Sequence, residues 1–162
     1  MQIWIKDFVN YICSYNYKLN KMSSILETKV TLVNNKLLFS GHAKSHPEII
    51  VDYIPPLGDG GGYMSLELLL ISLASCSASS IASLLRKMQK EVIGLTVTTK
   101  GFRKEEHPTS FETILLDFKL VSKDVLESDM HKVLQMTEDK YCPVWAMLKN
   151  NVEVKTQFKI VQ

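Results

Sequence analysis

Between Glu67 and Arg86 the chain has no charged residue. This stretch lies within MSLELLLISLASCSASSIASLLRKMQK, which starts at Met64, follows Gly58, Gly60, Gly61 and Gly62, and precedes Gly94. Leu, Ala, Met, Glu, Lys and Arg dominate it, and all favour helix. Ser65 is placed to act as N-cap, with Glu67 in the first turn, while Arg86, Lys87 and Lys90 stand where the helix dipole favours cations. The composition and its boundaries predict one long helix over residues 66–90. Apolar residues recur all round it, the pattern of a core helix or a membrane span, and predict burial on most sides. A span needs about 20 mostly apolar residues. Here Ser72, Ser75, Ser77, Ser79, Ser80 and Ser83 interrupt the run. The reading is therefore a buried helix of a soluble protein, not a membrane segment. Its Ser and Ala residues let a second backbone come close, inside a globule or across a dimer.

At 162 residues the chain has the length of about one domain and can bury a sizeable core. The net charge is +2, and the basic residues are spread along the chain without a Lys/Arg block interleaved with aromatics, which argues against nucleic acid. Only Arg86 and Arg103 are arginines. Three cysteines make no disulfide framework, and the odd count fits a reducing compartment with working thiols. Lys6 and Asp7 break the apolar start of the chain and no small-residue cleavage site follows, so a cytoplasmic protein is expected. Residues 1–21, with Tyr11, Cys13, Tyr15 and Tyr17, differ from the rest and read as a poorly integrated N-terminal extension. The folded domain is expected over 22–162.

From Glu27 onward the pattern is that of strands. Val30, Leu32 and Val33, then Leu37, Leu38 and Phe39, flank Asn34-Asn35 and predict a hairpin across a two-residue turn. Residues 48–53 (EIIVDY) read as a third strand, ended by Pro55-Pro56. The following GDGGG loop has neither a Walker-type Lys nor GxGxxG spacing, and reads as a flexible connector before it reads as a phosphate cradle. After the long helix, residues 95–102 and 111–121 alternate and predict an antiparallel hairpin, with His107-Pro108 in its charged turn. Residues 123–140 return to helical spacing, with Val125, Leu126, Met130, Val133, Leu134 and Thr137 on one side. Cys142-Pro143 opens a short helix over 144–149, and 152–161 is the last strand. The order β-β-β-α-β-β-α-β predicts an α+β domain, an antiparallel sheet covered on one face by helices.

Cys76 lies mid-helix between Ser75 and Ser77, whereas Cys142 lies at a helix start with Pro143 at the first helical position. Thiol chemistry needs thiolate, which the dipole of the short helix can stabilise at Cys142. Cys76 has no such local support, and burial alone leaves it inert. Either cysteine can equally be a small buried hydrophobe. His42 and His46 are four apart but fall in the turn between two strands, His107 is in a loop, and His131 is on the solvated side of its helix. Without CxxC or HExxH no metal site is expected, and without GxSxG no serine triad.

The runs PLGDGGGYMSLELLLISLASCSASSIASLLRKM, LTVTTKGFR and EDKYCPVWAMLKNNVEVK resemble the OsmC/Ohr family of thiol-dependent hydroperoxide reductases, in its small OsmC-like branch, over residues 29–161. The most specific pieces are ELLLxSLASC and YCPV. The resemblance implies an intertwined homodimer with its long central helices packed together and two active sites at the interface, needing no cofactor. It implies that Cys76 attacks the peroxide and becomes a sulfenic acid, that Cys142 resolves it to a disulfide, and that a small dithiol or other thiol reductant restores the pair. The family's peroxidases set an N-terminal Arg against the attacking thiolate, whereas no Arg precedes Arg86 here, and neither Arg86 nor Arg103 matches that position. They also set a Glu before the helix cysteine. Glu67 matches it, nine residues before Cys76 where the family has ten, and its other role is that of a first-turn dipole partner. The expected function is a cytoplasmic peroxidase of organic hydroperoxides. The alternatives are a non-catalytic protein that binds an apolar small molecule on the same fold, and a thiol–disulfide or sulfur-transfer protein using the same cysteines.

Overall fold

In a computed structural model the described residues are 25–162, so the expected extension at 1–21, including Cys13, lies outside them. The chain divides between Gly62 and Tyr63 into two compact units.

In the first unit β1 (Lys29–Leu32), β2 (Phe39–His42) and β3 (Ile49–Val51) form an antiparallel sheet in the order β1-β2-β3, with Lys29 opposite His42 and Phe39 opposite Val51. The β1–β2 hairpin forms, but not across a two-residue turn. Asn34 Oδ1 accepts the amides of Lys36 (2.9 Å) and Leu38 (3.2 Å), and Val33 N–H donates to Leu38 O, which closes a longer loop. Such side-chain capture of nearby amides is what Asn does in turns. The sheet leaves Val30, Leu32 and Ile49 exposed.

The glycine-rich loop is an ordered structure built on Asp52, not a loose connector. Asp52 is fully buried, and its carboxylate accepts the amides of Tyr53 (2.8 Å), Asp59 (3.1 Å) and Gly61 (2.9 Å). Gly58 permits this, because a Cβ there would meet Tyr53 O at 2.1 Å and Asp52 Oδ1 at 2.3 Å. These bonds hold the Asp52 carboxyl below its ordinary range, the Gly61 amide foremost, against the opposing effect of burial. The nest of amides that could have cradled a phosphate is thus filled by the protein's own anion.

The second unit holds α1 (Ser65–Lys87), β4 (Gly94–Arg103), β5 (Phe111–Val121), α2 (Glu127–Met136), a π-helical turn (Thr137–Tyr141), α3 (Pro143–Leu148) and β6 (Glu153–Val161). Sheet order is β4-β5-β6. One face presents Leu95, Val97 and Thr99 from β4, Ile114, Leu116, Phe118 and Leu120 from β5, and Val154, Phe158 and Ile160 from β6. The core lies there, under Leu73, Ile81 and Leu85 of α1, Met130 and Val133 of α2, and Trp145 of α3. The other face is polar and carries pairs such as Gln157–Asp117 at 2.8 Å.

The α+β architecture is the expected one, but there are two sheets and they are not wholly antiparallel. β6 runs parallel to β5, with Thr113 opposite Glu153 and Val121 opposite Val161. The α2–α3 crossover returns the chain to the start of β5, and a crossover of that length is what parallel pairing needs. The second helical region is shorter than predicted. Val125 is buried ahead of it, while Leu126 is its exposed N-cap residue, because the chain is still extended there. Asp129 accepts the Leu126 amide at 3.0 Å and pairs with Lys90 at 2.9 Å, which ties the end of α1 to the start of α2.

The long helix also departs from expectation at two points. Met64, not Ser65, is its N-cap residue. Its burial is one-sided: Leu73, Ser77, Ile81, Leu84 and Leu85 are buried, whereas Ile71 is 50% exposed and Ser72, Ser75, Ser79 and Ser83 are exposed. Among the described residues part of the apolar run, Ile71 included, is left uncovered. Among the described residues α1 is the helix with the length and hydropathy of a membrane span. Its buried side packs into the core just described.

Candidate functional site

Cys76 and Cys142, 66 positions apart, are brought together where the middle of α1 meets the start of α3. Both are free thiols, Cys76 partly buried and Cys142 1% exposed. The π turn delivers Cys142: α2 widens over Thr137–Tyr141, and Cys142 N–H donates to Thr137 O at 3.0 Å. A π turn of this kind often marks a functional position, and nothing in the 123–140 pattern announced it. Ser80, one turn beyond Cys76, aims its hydroxyl at Cys76 O (3.0 Å) and Tyr141 O (3.2 Å), which fastens α1 to that turn.

Helix α3 serves both sulfurs. Cys142 is its N-cap and Pro143, which has no amide proton, its first residue. The next two amides are free of intrahelical partners. Trp145 N–H donates to Cys142 Sγ at 3.4 Å, and the Val144 amide acts on Cys76 to favour its thiolate. The sequence offered this dipole to Cys142 alone; the fold shares it. Val144 is 68 positions from Cys76, so no local pattern could have shown the contact.

The balance at Cys76 nevertheless favours the thiol. Burial raises its pKa above 9.0 first of all, and the hydrogen bond and charge of Cys142 raise it further, against the Val144 amide. Among the described residues no cation is placed to reverse this within one chain. Arg86 lies ten residues along α1, about 15 Å at 1.5 Å per residue, and is exposed. Arg103 is held in the β4–β5 turn, where its Nε donates to Thr109 O at 2.8 Å. Lys140 stands over the Tyr141 ring, 5.7 Å from its centre.

Glu67 is not brought to the cysteines. Its Oε2 accepts the Met64 amide at 2.8 Å, a capping bond in the first turn, where the sequence predicts a dipole partner. It stands about 13 Å along α1 from Cys76, at the edge of a groove of about 740 Å³. Leu70, Ile71, Ala74 and Ala78 of α1 and Leu95, Val97 and Thr99 of β4 line that groove, and Cys76 does not.

The histidines build no site. His42 is not in a turn but ends β2, where its Nε2 is 2.7 Å from Ser40 Oγ and 3.7 Å from Glu48. His131 is exposed and packs edge-on against Phe158 at 5.0 Å. Among the described residues no group of three or more His, Cys, Asp or Glu could hold a metal ion.

A sequence model of the family described as OsmC-like protein matches residues 58–157. Protein YhfA of Escherichia coli is 28% identical over 127 residues, which span 77% of this chain and 91% of that protein. The crystal structure of a hypothetical protein from Aquifex aeolicus is similar with a TM-score of 0.75 and 28% identity, over 85% of this chain and 97% of that one. That of an organic hydroperoxide resistance protein OsmC from Legionella pneumophila shares the fold with a TM-score of 0.68 and 15% identity, over 86% and 99% of the two chains.

Proposed function

This chain belongs to the OsmC-like protein family, and from that premise we propose that it is a cytoplasmic, cofactor-free thiol peroxidase that reduces organic hydroperoxides in oxidative-stress defence. The carrying observation is the contact of two free thiols, Cys76 and Cys142, at the start of α3. Organic hydroperoxide resistance is what the Legionella relative of this fold is named for.

Exposure divides the roles. A peroxide must reach the attacking sulfur, and Cys76 is the more accessible of the two. Cys76 thiolate attacks the distal peroxide oxygen. The O–O bond breaks, the alkoxide leaves and takes a proton as an alcohol, and the sulfur becomes a sulfenic acid. Cys142 then attacks that sulfur, an S–S bond replaces the S–O bond, and the oxygen departs as water. A dithiol reductant restores both thiols by two exchanges and is itself oxidised to a disulfide. Burial and Cys142 keep the proton on Cys76, which slows the first step.

The homodimer belongs to the same proposal. The exposed stripe of Ile71, Ser72, Ser75, Ser79 and Ser83 on α1 has the small residues that let a second α1 approach, and its middle residue, Ser75, precedes Cys76 in the chain. The strands β1–β3 expose Val30, Leu32 and Ile49, which a partner subunit would cover. Any catalytic role for Glu67 requires that partner, since the residue caps its own helix far from its own Cys76.

A second reading has its own support. The groove between α1 and β4 is largely apolar, and a neutral Cys76 suits a binding protein that retains the fold without the peroxidase. A thiol–disulfide or sulfur-transfer protein would use the same pair. Steady-state reduction of cumene hydroperoxide with a dithiol separates them. The proposal expects turnover that is lost in Cys76→Ser, and full turnover in that variant would refute it.

A further inference from the structure

The mechanism above leaves one buried polar side chain beside its sulfurs unused. Ser77 follows Cys76 on α1 and is 0% exposed. Leu73 and Ile81, one turn before and after it on the same face, are equally buried. A hydroxyl in such a position is costly unless it is paired, and an alanine would occupy the space without that cost. The partner of the Ser77 hydroxyl is the Cys142 sulfur at 3.6 Å. This sulfur already accepts the Trp145 amide at 3.4 Å, and Ser77 sets beside it a hydroxyl that can both receive and give a hydrogen bond.

We propose that Ser77 is a positioning residue for the resolving step, one that holds the Cys142 sulfur toward Cys76 and stabilises it as it becomes a thiolate. The inference rests on the reading of the cysteine pair given above. In the resting protein the Cys142 S–H donates to Ser77 Oγ. When Cys76 has become a sulfenic acid, Cys142 gives up its proton, and the Ser77 hydroxyl turns to donate to the thiolate, a bond strengthened by the charge. The Cys142 sulfur then forms the S–S bond. The S–O bond of Cys76 breaks, and the departing hydroxide leaves with a proton as water. Cys142 is oxidised, the sulfenic sulfur is reduced, and the hydroperoxide of the preceding step is the only oxidant. Ser77 is unchanged and touches no substrate atom.

The test uses the reduced full chain with Ser77 intact, as Ser77→Ala and as Ser77→Thr. Each is mixed with one equivalent of cumene hydroperoxide and quenched at intervals with dimedone and iodoacetamide, and every cysteine is mapped by mass. The expected result is that Cys76 oxidises at the same rate in all three. In Ser77→Ala the bridge forms about 10-fold more slowly and the dimedone adduct of Cys76 accumulates, as loss of a charge-assisted bond implies. Ser77→Thr restores the fast bridge. Separately, in urea unfolding the loss in the Ser77→Ala, Cys142→Ala double variant is smaller than the sum of the two single losses. A wild-type bridging rate in Ser77→Ala together with additive losses in urea would overturn the proposal. Should Ser77→Ala not fold, the volume-matched pair Ser77→Thr and Ser77→Val makes the same comparison. A wild-type chain that never bridges refutes the reading of the pair, and the urea comparison then decides the Ser77–Cys142 contact alone.

Discussion

Cys142 caps the helix that follows it: its sulfur accepts the Trp145 amide at 3.4 Å, while the preceding amide, that of Val144, favours the thiolate of Cys76. One short helix thereby acts on both thiols. The cap predicts a difference between two substitutions. Cys142→Ala loses the acceptor and should cost about 1–2 kcal/mol. Cys142→Ser keeps an acceptor and should lose less than half of that. Urea unfolding of the two variants checks it, and equal losses would show that the cap contributes little.

The pKa of Cys76 predicts its pH dependence. Because burial and Cys142 hold it above 9.0, the thiolate is below roughly 1% at pH 7. Iodoacetamide labelling of Cys76 and its reaction with cumene hydroperoxide should both rise steadily with pH and reach half-maximum above pH 9.0. Cys142→Ala removes one of the two causes and should move that midpoint down. A midpoint near neutrality in the wild-type chain would mean that a cation from elsewhere acts on Cys76.

The Asp52 nest predicts the acid behaviour of the first unit. A carboxyl held below its unfolded value of 3.8 adds stability that is fully present above that pH. That stability is lost as pH falls below it, because the unfolded chain takes up its proton first. Asp52→Asn turns one acceptor into a donor facing the Asp59 and Gly61 amides. It should lower the melting temperature at pH 7 by at least about 5 °C and flatten the acid dependence below pH 4. An unchanged melting curve would show that the buried carboxylate is not holding the loop.

Gly101 predicts a packing effect. A Cβ there would meet the Phe111 ring at 2.2 Å, so Gly101→Ala should cost about 1–3 kcal/mol through overpacking. Phe111→Leu in the same chain should recover part of that loss, although Phe111→Leu alone destabilises. Urea midpoints of the single and double variants measure the coupling.

The sequence made the parts with strong local patterns legible. The uncharged run around Cys76 is the long helix, the alternation of 95–102 and 111–121 is a hairpin, and Cys142-Pro143 does start a helix. What it hid depends on partners distant in sequence. The direction of β6 is set by the crossover before it, not by its own alternation. The π turn before Cys142 is defined by where the helix must deliver that residue. Asp52 looked like the end of a strand because the amides it binds lie up to nine residues later, although an Asp just ahead of a glycine-rich loop is a signal for such a nest. At the candidate site, Cys76 and Cys142 were singled out through the family resemblance. Ser77 and Val144 were not, since they come near the cysteines only when α1 meets α3.

The central claim is that Cys76 and Cys142 act as one redox pair, and intact mass tests it most directly. The reduced chain is treated with one equivalent of cumene hydroperoxide and analysed without reductant, with peptide mapping. The account predicts loss of two hydrogens, mapped to a Cys76–Cys142 bridge, at a rate that grows with pH. Thiols that remain unchanged over hours, or a stable sulfenic acid on Cys76 with Cys142 still free, would contradict it.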